Sequence, residues 1–307
     1  MIYTITFSPS IDYVVNNQKN KFDANGLTRI EKYNLFPGGK GINASYILNE
    51  LKLENEAIIY TYGKTKQLFL ELLEKHNLKN VSEIDVESNL DIRINLKYFG
   101  FDNKFEINGP SIKIDENNLN KLKNKLSNIN QKDVVFIMGK CDESVLIDLI
   151  EFIRNKKANF VIDIDSNILL QILKYHPFVI KPNIDELQLI LNKKFMSDNE
   201  VLNAMKDLKK QGALNVIVSM GSEGSLLLDD KNEAYKINFD PIKNLKSTVG
   251  CGDTLLSSYV GFKMLNLSNE ESIKKATAMS MSTASSWFLG SYQEMEILTK
   301  DVKVKKI

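Results

Sequence analysis

Several stretches of this 307-residue chain combine chemically active residue types with glycines that let a ligand approach. The first is Ser247-Thr-Val-Gly-Cys-Gly-Asp-Thr-Leu-Leu256, where Gly250 and Gly252 flank Cys251 and Asp253 follows. Leu255, Tyr259 and Phe262, with Leu256 and Val260, recur at helical spacing, so the loop runs into a helix starting near Gly252. A helix start offers unpaired N–H groups and a partial positive charge, and glycine lets that backbone close on a phosphate. A carboxylate in the same turn can take the proton of a hydroxyl attacking that phosphate. Asp253 is a candidate base, and the Gly250, Cys251 and Gly252 backbone a candidate anion cradle. An aspartate there is also an ordinary helix cap. The Gly-x-Gly pair opens like a dinucleotide fingerprint, which would suit an oxidoreductase, but Leu255 stands where the third glycine belongs.

A second glycine loop, Phe36-Pro-Gly-Gly-Lys-Gly-Ile-Asn43, opens another helix, with Ala44, Ile47, Leu48 and Leu51 at helical spacing. Lys40 is a compact cation able to pair a phosphate, and Asn43 can both donate to and accept from hydroxyls. In Lys181-Pro-Asn-Ile-Asp-Glu186, Asn183 and Glu186 lie three apart on one helical face. They could hold Mg²⁺ through water, or form an N-cap with a reaching glutamate. Val216 to Leu228 is a strand, a glycine turn and a second strand; Ser219 and that turn could line a nucleotide pocket or be a plain hairpin. Asp12, just past the first strand, could hold sugar hydroxyls or stabilise a turn. Arg93 shares one strand face with Asn95 and is a cation for an anionic substrate, or a solvent-facing charge.

The elements that must position these residues alternate. Ile2 to Phe7, Ala57 to Tyr62, Val134 to Met138, Phe160 to Ile164 and Phe178 to Ile180 read as strands. Helical patterns span 66–76, 115–126, 144–154 and 168–173, with two more near 271–286 and 291–299. This succession implies a parallel sheet covered on both faces. Residues 13–36 read as polar and irregular, and 81–109 changes to strict alternation. Those stretches predict a small antiparallel lid formed by about 11–36 and 88–110, inserted into a single domain spanning 1–307. The final Lys-rich residues read as a solvated end.

The composition, 43% hydrophobic and 26% charged, fits a folded core, and a net charge of +1 argues against nucleic-acid or membrane-surface partners. Two cysteines give no disulfide framework and two histidines no histidine metal site. Without an apolar span or leader pattern, the expectation is a reduced, cytoplasmic protein.

The ordered set Gly38-Gly-Lys-Gly-Ile-Asn43, Asn183-x-x-Glu186 and Gly250-Cys-Gly-Asp253 resembles the ribokinase-like, or PfkB-type, carbohydrate kinases nearly end to end. Met1-Ile-Tyr-Thr-Ile-Thr6, Pro9-Ser-Ile-Asp-Tyr13, Arg93-Ile-Asn95 and Pro177-Phe-Val-Ile-Lys-Pro-Asn183 are most similar to the branch acting on fructose 1-phosphate, with the tagatose-6-phosphate kinases close beside it. The resemblance implies a three-layer α/β/α core with a small β-sheet lid that pairs in a homodimer, and phosphorylation of a ketohexose phosphate by ATP with Mg²⁺. It implies Asp253 as base with Gly250, Cys251 and Gly252 as anion hole. It implies Lys181, Asn183, Ser219, Gly221, Glu223 and Gly224 at the nucleotide, and Asn183 and Glu186 at the metal, indirectly through water. Asp12, Gly39, Lys40, Asn43 and Arg93 would face the sugar phosphate. The chain departs from the family in four places: Cys251 stands where alanine is usual, Ser8 replaces an asparagine, Met138-Gly-Lys-Cys-Asp142 replaces a Gly-Ser-x-Pro loop, and Tyr62-Gly-Lys-Thr65 lacks a second glycine. Three of these lie on the sugar side, which leaves room for a catalytically silent sugar-phosphate-binding relative.

Overall fold

The apolar runs become central strands because their side chains are buried on both faces. A computed structural model describes residues 1–307 apart from 18–21, 24, 102 and 165–167. In chain order the elements are β1 (Ile2–Thr6), β2 (Ser10–Asn17), β3 (Tyr33–Gly38), α1 (Lys40–Glu50), β4 (Asn55–Thr61), α2 (Lys66–Lys75), β5 (Val81–Asp85), β6 (Arg93–Gly100), β7 (Lys104–Ile107) and α3 (Glu116–Lys125). They continue with β8 (Val134–Met138), α4 (Glu143–Asn155), β9 (Asn159–Asp163), α5 (Leu169–Ile172), β10 (Val179–Ile180), α6 (Ile184–Leu191), α7 (Asp198–Lys210), β11 (Asn215–Ser219) and β12 (Ser225–Leu228). The chain closes with β13 (Ala234–Phe239), α8 (Cys251–Met264), α9 (Asn269–Ala284), α10 (Tyr292–Leu298) and β14 (Val302–Lys306).

Among the described residues, ten strands form one sheet in the order β14-β13-β12-β11-β10-β9-β8-β1-β4-β5. The run from β11 to β5 is parallel, and β12, β13 and β14 add antiparallel strands at one edge. Alternate residues go to opposite faces. Val135 and Ile137 join α2, α3, α4 and α7 on one side, while Val134, Phe136 and Met138 join α1, α8, α9 and α10 on the other. The strand order reverses between β1 and β8, the kind of point at which open α/β sheets gather ligands beyond the carboxyl ends of their strands.

A second sheet, β3-β2-β6-β7, springs from the carboxyl end of β1. β2 and β6 run parallel, with Ser10 opposite Arg93 and Asp12 opposite Asn95. A small separate sheet was expected and is present, with three corrections. It was expected to be antiparallel, but its central pair, β2 with β6, is parallel. The stretch expected to be irregular from 13 holds a strand, β2, whose Val14 and Val15 are both buried; two covered faces hide the alternation that would announce it. Residues 18–21 and 24 of that stretch, and 102 of the other, lie outside the described residues. β5 belongs instead to the large sheet, where Ile84 enters the core. The Lys-rich end is also an edge strand: Val302 is buried and its backbone pairs with β13, while Lys303 and Lys305 face water. Lysines on an edge strand discourage pairing with another chain.

Helix α1 lies hard against β1. A Cβ on Gly41 would come within 2.4 Å of the Ile5 carbonyl oxygen, and Ser45 meets Thr4 in a buried hydroxyl pair at 2.7 Å. Gly41→Ala must lift α1, with Lys40 and Asn43 on its first turn. We expect a loss of about 1–3 kcal/mol in denaturant unfolding; an unchanged unfolding midpoint would contradict this packing.

Candidate active site

Helix α8 begins where a residue must turn left-handed. Gly250, the N-cap, has φ 78°, and a Cβ there would meet Leu289 at 2.9 Å. The Cys251 amide bonds the Thr248 carbonyl at 3.3 Å, whereas the amides of Gly252 and Asp253 have no acceptor among the described residues. Lys181 overhangs this mouth: its Nζ is 3.0 Å from where a Gly252 Cβ would sit. Every residue of α8 from Asp253 to Phe262 is buried, so the core fixes the direction of the helix start.

Asp253 is 8% exposed, and its Oδ2 accepts a 2.7 Å hydrogen bond from Asn43 Nδ2. Burial, then the nearby Asp163 carboxylate, push its pKa up to about 6; Lys40, the Asn43 hydrogen bond and Lys181 pull the other way. Asp163, at the end of β9, lies between the two lysines, 3.4 Å from Lys40 and 3.8 Å from Lys181. Two buried carboxylates and two ammonium groups thus form one balanced cluster at the helix mouth. Cys251 contributes backbone only: burial raises its thiol to about 11, and Sγ donates to the Ser280 carbonyl at 3.5 Å.

On the small sheet, Asp12 Oδ1 accepts from Ser10 Oγ at 2.9 Å and Asn95 Nδ2 at 3.0 Å, and Oδ2 pairs with Lys97 Nζ at 2.5 Å. A narrow cleft of about 30 Å³ joins Asp12 and Lys97 to Asn43 and Gly250 under Phe36 and Trp287. Gly39, at φ 132°, turns the chain into α1 beside Thr6. Arg93 lies on the same sheet face as Asn95 but reaches neutral groups, Ser111 Oγ at 3.3 Å and the Ser8 carbonyl at 3.5 Å, and its buried Nε has no partner among the described residues. Lys40 therefore keeps company with Asp163, and Arg93 with the two serines. Trp287 packs edge-on against Phe99, and Phe288 stacks on Phe36, so the loop after α9 is pressed against the small sheet.

Beyond Lys181, a larger cavity of about 460 Å³ is bordered by Asp163, Lys181, Pro182 and Glu186 with apolar walls from Ile162 and Leu189. Asn183 and Glu186 do form a reciprocal cap, each side chain bonded to the other's amide at 2.8 Å. The hairpin between β11 and β12 is present, and its first strand is tied to the site: Ser219 forms a bridge with Asn183 and bonds the Pro182 carbonyl at 3.2 Å. Gly221, at φ 58°, has open space around it. Glu223 ends the 3₁₀ turn and Gly224, at φ 91°, leads into β12.

Two site residues escaped the sequence analysis. Asp163 carried one usable signal, an acidic residue closing an apolar strand run where open α/β sheets gather ligands. Lys97 carried another, the third polar member of the alternation Arg93, Asn95, Lys97.

Residues 6–287 match the model of the pfkB family carbohydrate kinases. The chain is 33% identical to a 1-phosphofructokinase of Borreliella burgdorferi over 310 residues, covering 100% of this chain and 99% of the relative. It is 31% identical to a D-tagatose-1-phosphate kinase of Bacillus licheniformis, covering 99% of each. The phosphofructokinase-2 of Escherichia coli, solved with fructose-6-phosphate, shares the fold with a TM-score of 0.86 at 23% identity, over 97% of this chain and 98% of that one.

A thiol held near 11 is about a thousandth ionised or less at pH 7.5. Iodoacetamide on the folded protein should leave Cys251 unmodified by mass spectrometry over the hour that labels an exposed thiol; prompt labelling there would contradict its raised pKa.

Proposed function

The chain belongs to the pfkB family of carbohydrate kinases, phosphotransferases acting on a sugar hydroxyl, and on that premise we propose that it passes the γ-phosphoryl group of ATP to the free primary hydroxyl of fructose 1-phosphate. The observation that carries the proposal is Asp253: a buried carboxylate with its pKa near 6, beside two unpaired helix-start amides and two lysines. Asp253 takes the hydroxyl proton during attack. A base near 6 is ionised at neutral pH yet retains driving force for the proton. The amides of the Gly250–Asp253 turn, with Lys181, meet the charge that develops on the transferring group. Lys40 belongs there too, because it lies in the field of Asp253; Arg93, with its unspent Nε, takes the substrate's own phosphate. Asn43 orients Asp253, while Asp12 and the Gly39 turn hold the sugar.

Kinases of this family use ATP, normally with Mg²⁺. Lys181, Asn183, Ser219, Gly221, Glu223 and Gly224 line the path for the nucleotide. No group of three or more potential metal ligands occurs among the described residues. Asp163 and Glu186 border one cavity and offer hard oxygens, and capping occupies only one carboxylate oxygen of Glu186. When bound there, Mg²⁺ would neutralise phosphate charge. The resemblance to a tagatose-phosphate kinase at nearly the same identity supports a second reading, with a tagatose phosphate as acceptor.

We read the small sheet as a lid on a single kinase domain. A cleft of about 30 Å³ holds about one water, so a sugar phosphate enters only when this sheet moves away. Its outer face is apolar, with Tyr33 at 54%, Ile94 at 51% and Ile107 at 60% exposure and Tyr13 stacked on Tyr33. Such a face suits a second copy of the chain, giving a homodimer through the lid.

Assays of ADP release with fructose 1-phosphate, fructose 6-phosphate and both tagatose phosphates should give the highest kcat/KM with fructose 1-phosphate; no turnover on any would overturn the proposal. Asp253→Asn should lower kcat by about 10²–10⁴. Because the base must be ionised, kcat should fall as pH drops through about 6. The folded pKa lies above the 3.8 of an ordinary aspartate, so the stabilising effect of the bound proton is lost as pH rises through about 6, and Asp253→Asn should unfold later than wild type at pH 8. Ile94→Asp with Ile107→Asp should convert a dimer to a monomer in sedimentation; a monomeric wild type would remove the lid dimer.

A further inference from the structure

We propose that Lys97 is a specificity-determining residue, which with Asp12 reads two neighbouring hydroxyls of the sugar, one as donor and one as acceptor. This rests on the kinase reading above and names a residue it does not use. On β6 the side chains of Arg93, Asn95 and Lys97 share one face, and two of the three end on Asp12. The Lys97 and Asp12 side chains are each 12% exposed, so their 2.5 Å pair is largely cut off from water.

A count of donors and acceptors shows what the pair leaves over. An ionised carboxylate has about four lone-pair positions, and Asp12 fills three with Ser10, Asn95 and Lys97. An ammonium has three donors, and Lys97 commits one of them to Asp12. One acceptor and two donors remain, side by side, in the cleft that also contains Asn43 and Gly250. Asn43 bonds Asp253 directly, so this cleft adjoins the carboxylate proposed to receive the proton.

A shielded ion pair adds little net stability compared with apolar residues of the same size, so its position is better explained by what it can bind. A closely set acceptor and donor suit hydroxyls on adjacent carbons, because each hydroxyl can give to one and take from the other. A substrate phosphate is the weaker match. The other cation of this face, Arg93, stands four residues back along the strand, bonded to the Ser111 hydroxyl and the Ser8 carbonyl, with no carboxylate partner among the described residues. Fructose and tagatose phosphates differ only in the configuration at C4. A pair that grips the C3 and C4 hydroxyls together accepts one epimer and leaves a buried group unpaired with the other.

The test compares Lys97→Met and Lys97→Arg with wild type on fructose 1-phosphate and tagatose 1-phosphate, with ATP binding titrated separately. Lys97→Met should raise KM for the preferred epimer at least about tenfold, as expected for loss of a charge-assisted hydrogen bond. It should bring the two epimers' kcat/KM values towards equality and leave ATP affinity unchanged. Lys97→Arg should recover part of the KM but not the full epimer ratio, since a planar fork replaces a compact ammonium; it also supplies the ratio if Lys97→Met does not fold. A KM within twofold of wild type, an equal loss for both epimers, or a parallel loss of ATP affinity would each overturn the assignment. A wild type inactive on both sugars would overturn the reading that the acceptor is a ketohexose 1-phosphate, on which this role rests. An active wild type with an unmoved ratio in the variants would overturn only the role of Lys97.

Discussion

Everything in this site depends on keeping the Asp253 carboxylate out of water at the start of a buried helix. Burial and Asp163 both favour its protonated form, while Lys40, Lys181 and Asn43 hold the balance near neutrality. Remove the lysines and the carboxylate would hold its proton more tightly; remove Asp163 and it would release it more readily. The four charges come from α1, β9, the loop after β10, and α8, so the parallel sheet matters mainly as the frame that brings four distant segments to one point. Their separation in sequence also means that no local change adjusts the balance alone.

The small sheet has a different physical logic. One face carries polar side chains towards the helix mouth, and the other carries Tyr13, Tyr33, Ile94 and Ile107 outwards. The alternation of β6 gives both faces at once, because successive residues of a strand point in opposite directions. The polar face and the apolar face are therefore written into the same eight residues of β6, and a change at one face is transmitted through a single backbone to the other.

Much of the fold was legible because burial on both faces leaves continuous apolar runs, as in Val134 to Met138, and because glycines mark the two loops that open α1 and α8. What was missed shares a cause. β2 interrupts its apolar residues with Asp12 and Asn16, and the Lys-rich β14 pairs its backbone while its lysines stay in water; neither pattern separates strand from coil. Asn183 and Glu186 fit both capping and ligand binding in sequence, and the structure has the cap, with one carboxylate oxygen of Glu186 not used by it. Asp163 and Lys97 were hidden because their significance lies in partners more than 80 positions away, Lys40 and Asp12, and pairing at that range is a property of topology.

The chain has one tryptophan, and it stands on the seam between the small sheet and the loop after α9, edge-on to Phe99. Indole emission responds to the polarity and packing around the ring. With no second indole to dilute the signal, the opening and shutting of this seam would be visible in solution without any attached dye, and stopped-flow mixing could time it against turnover.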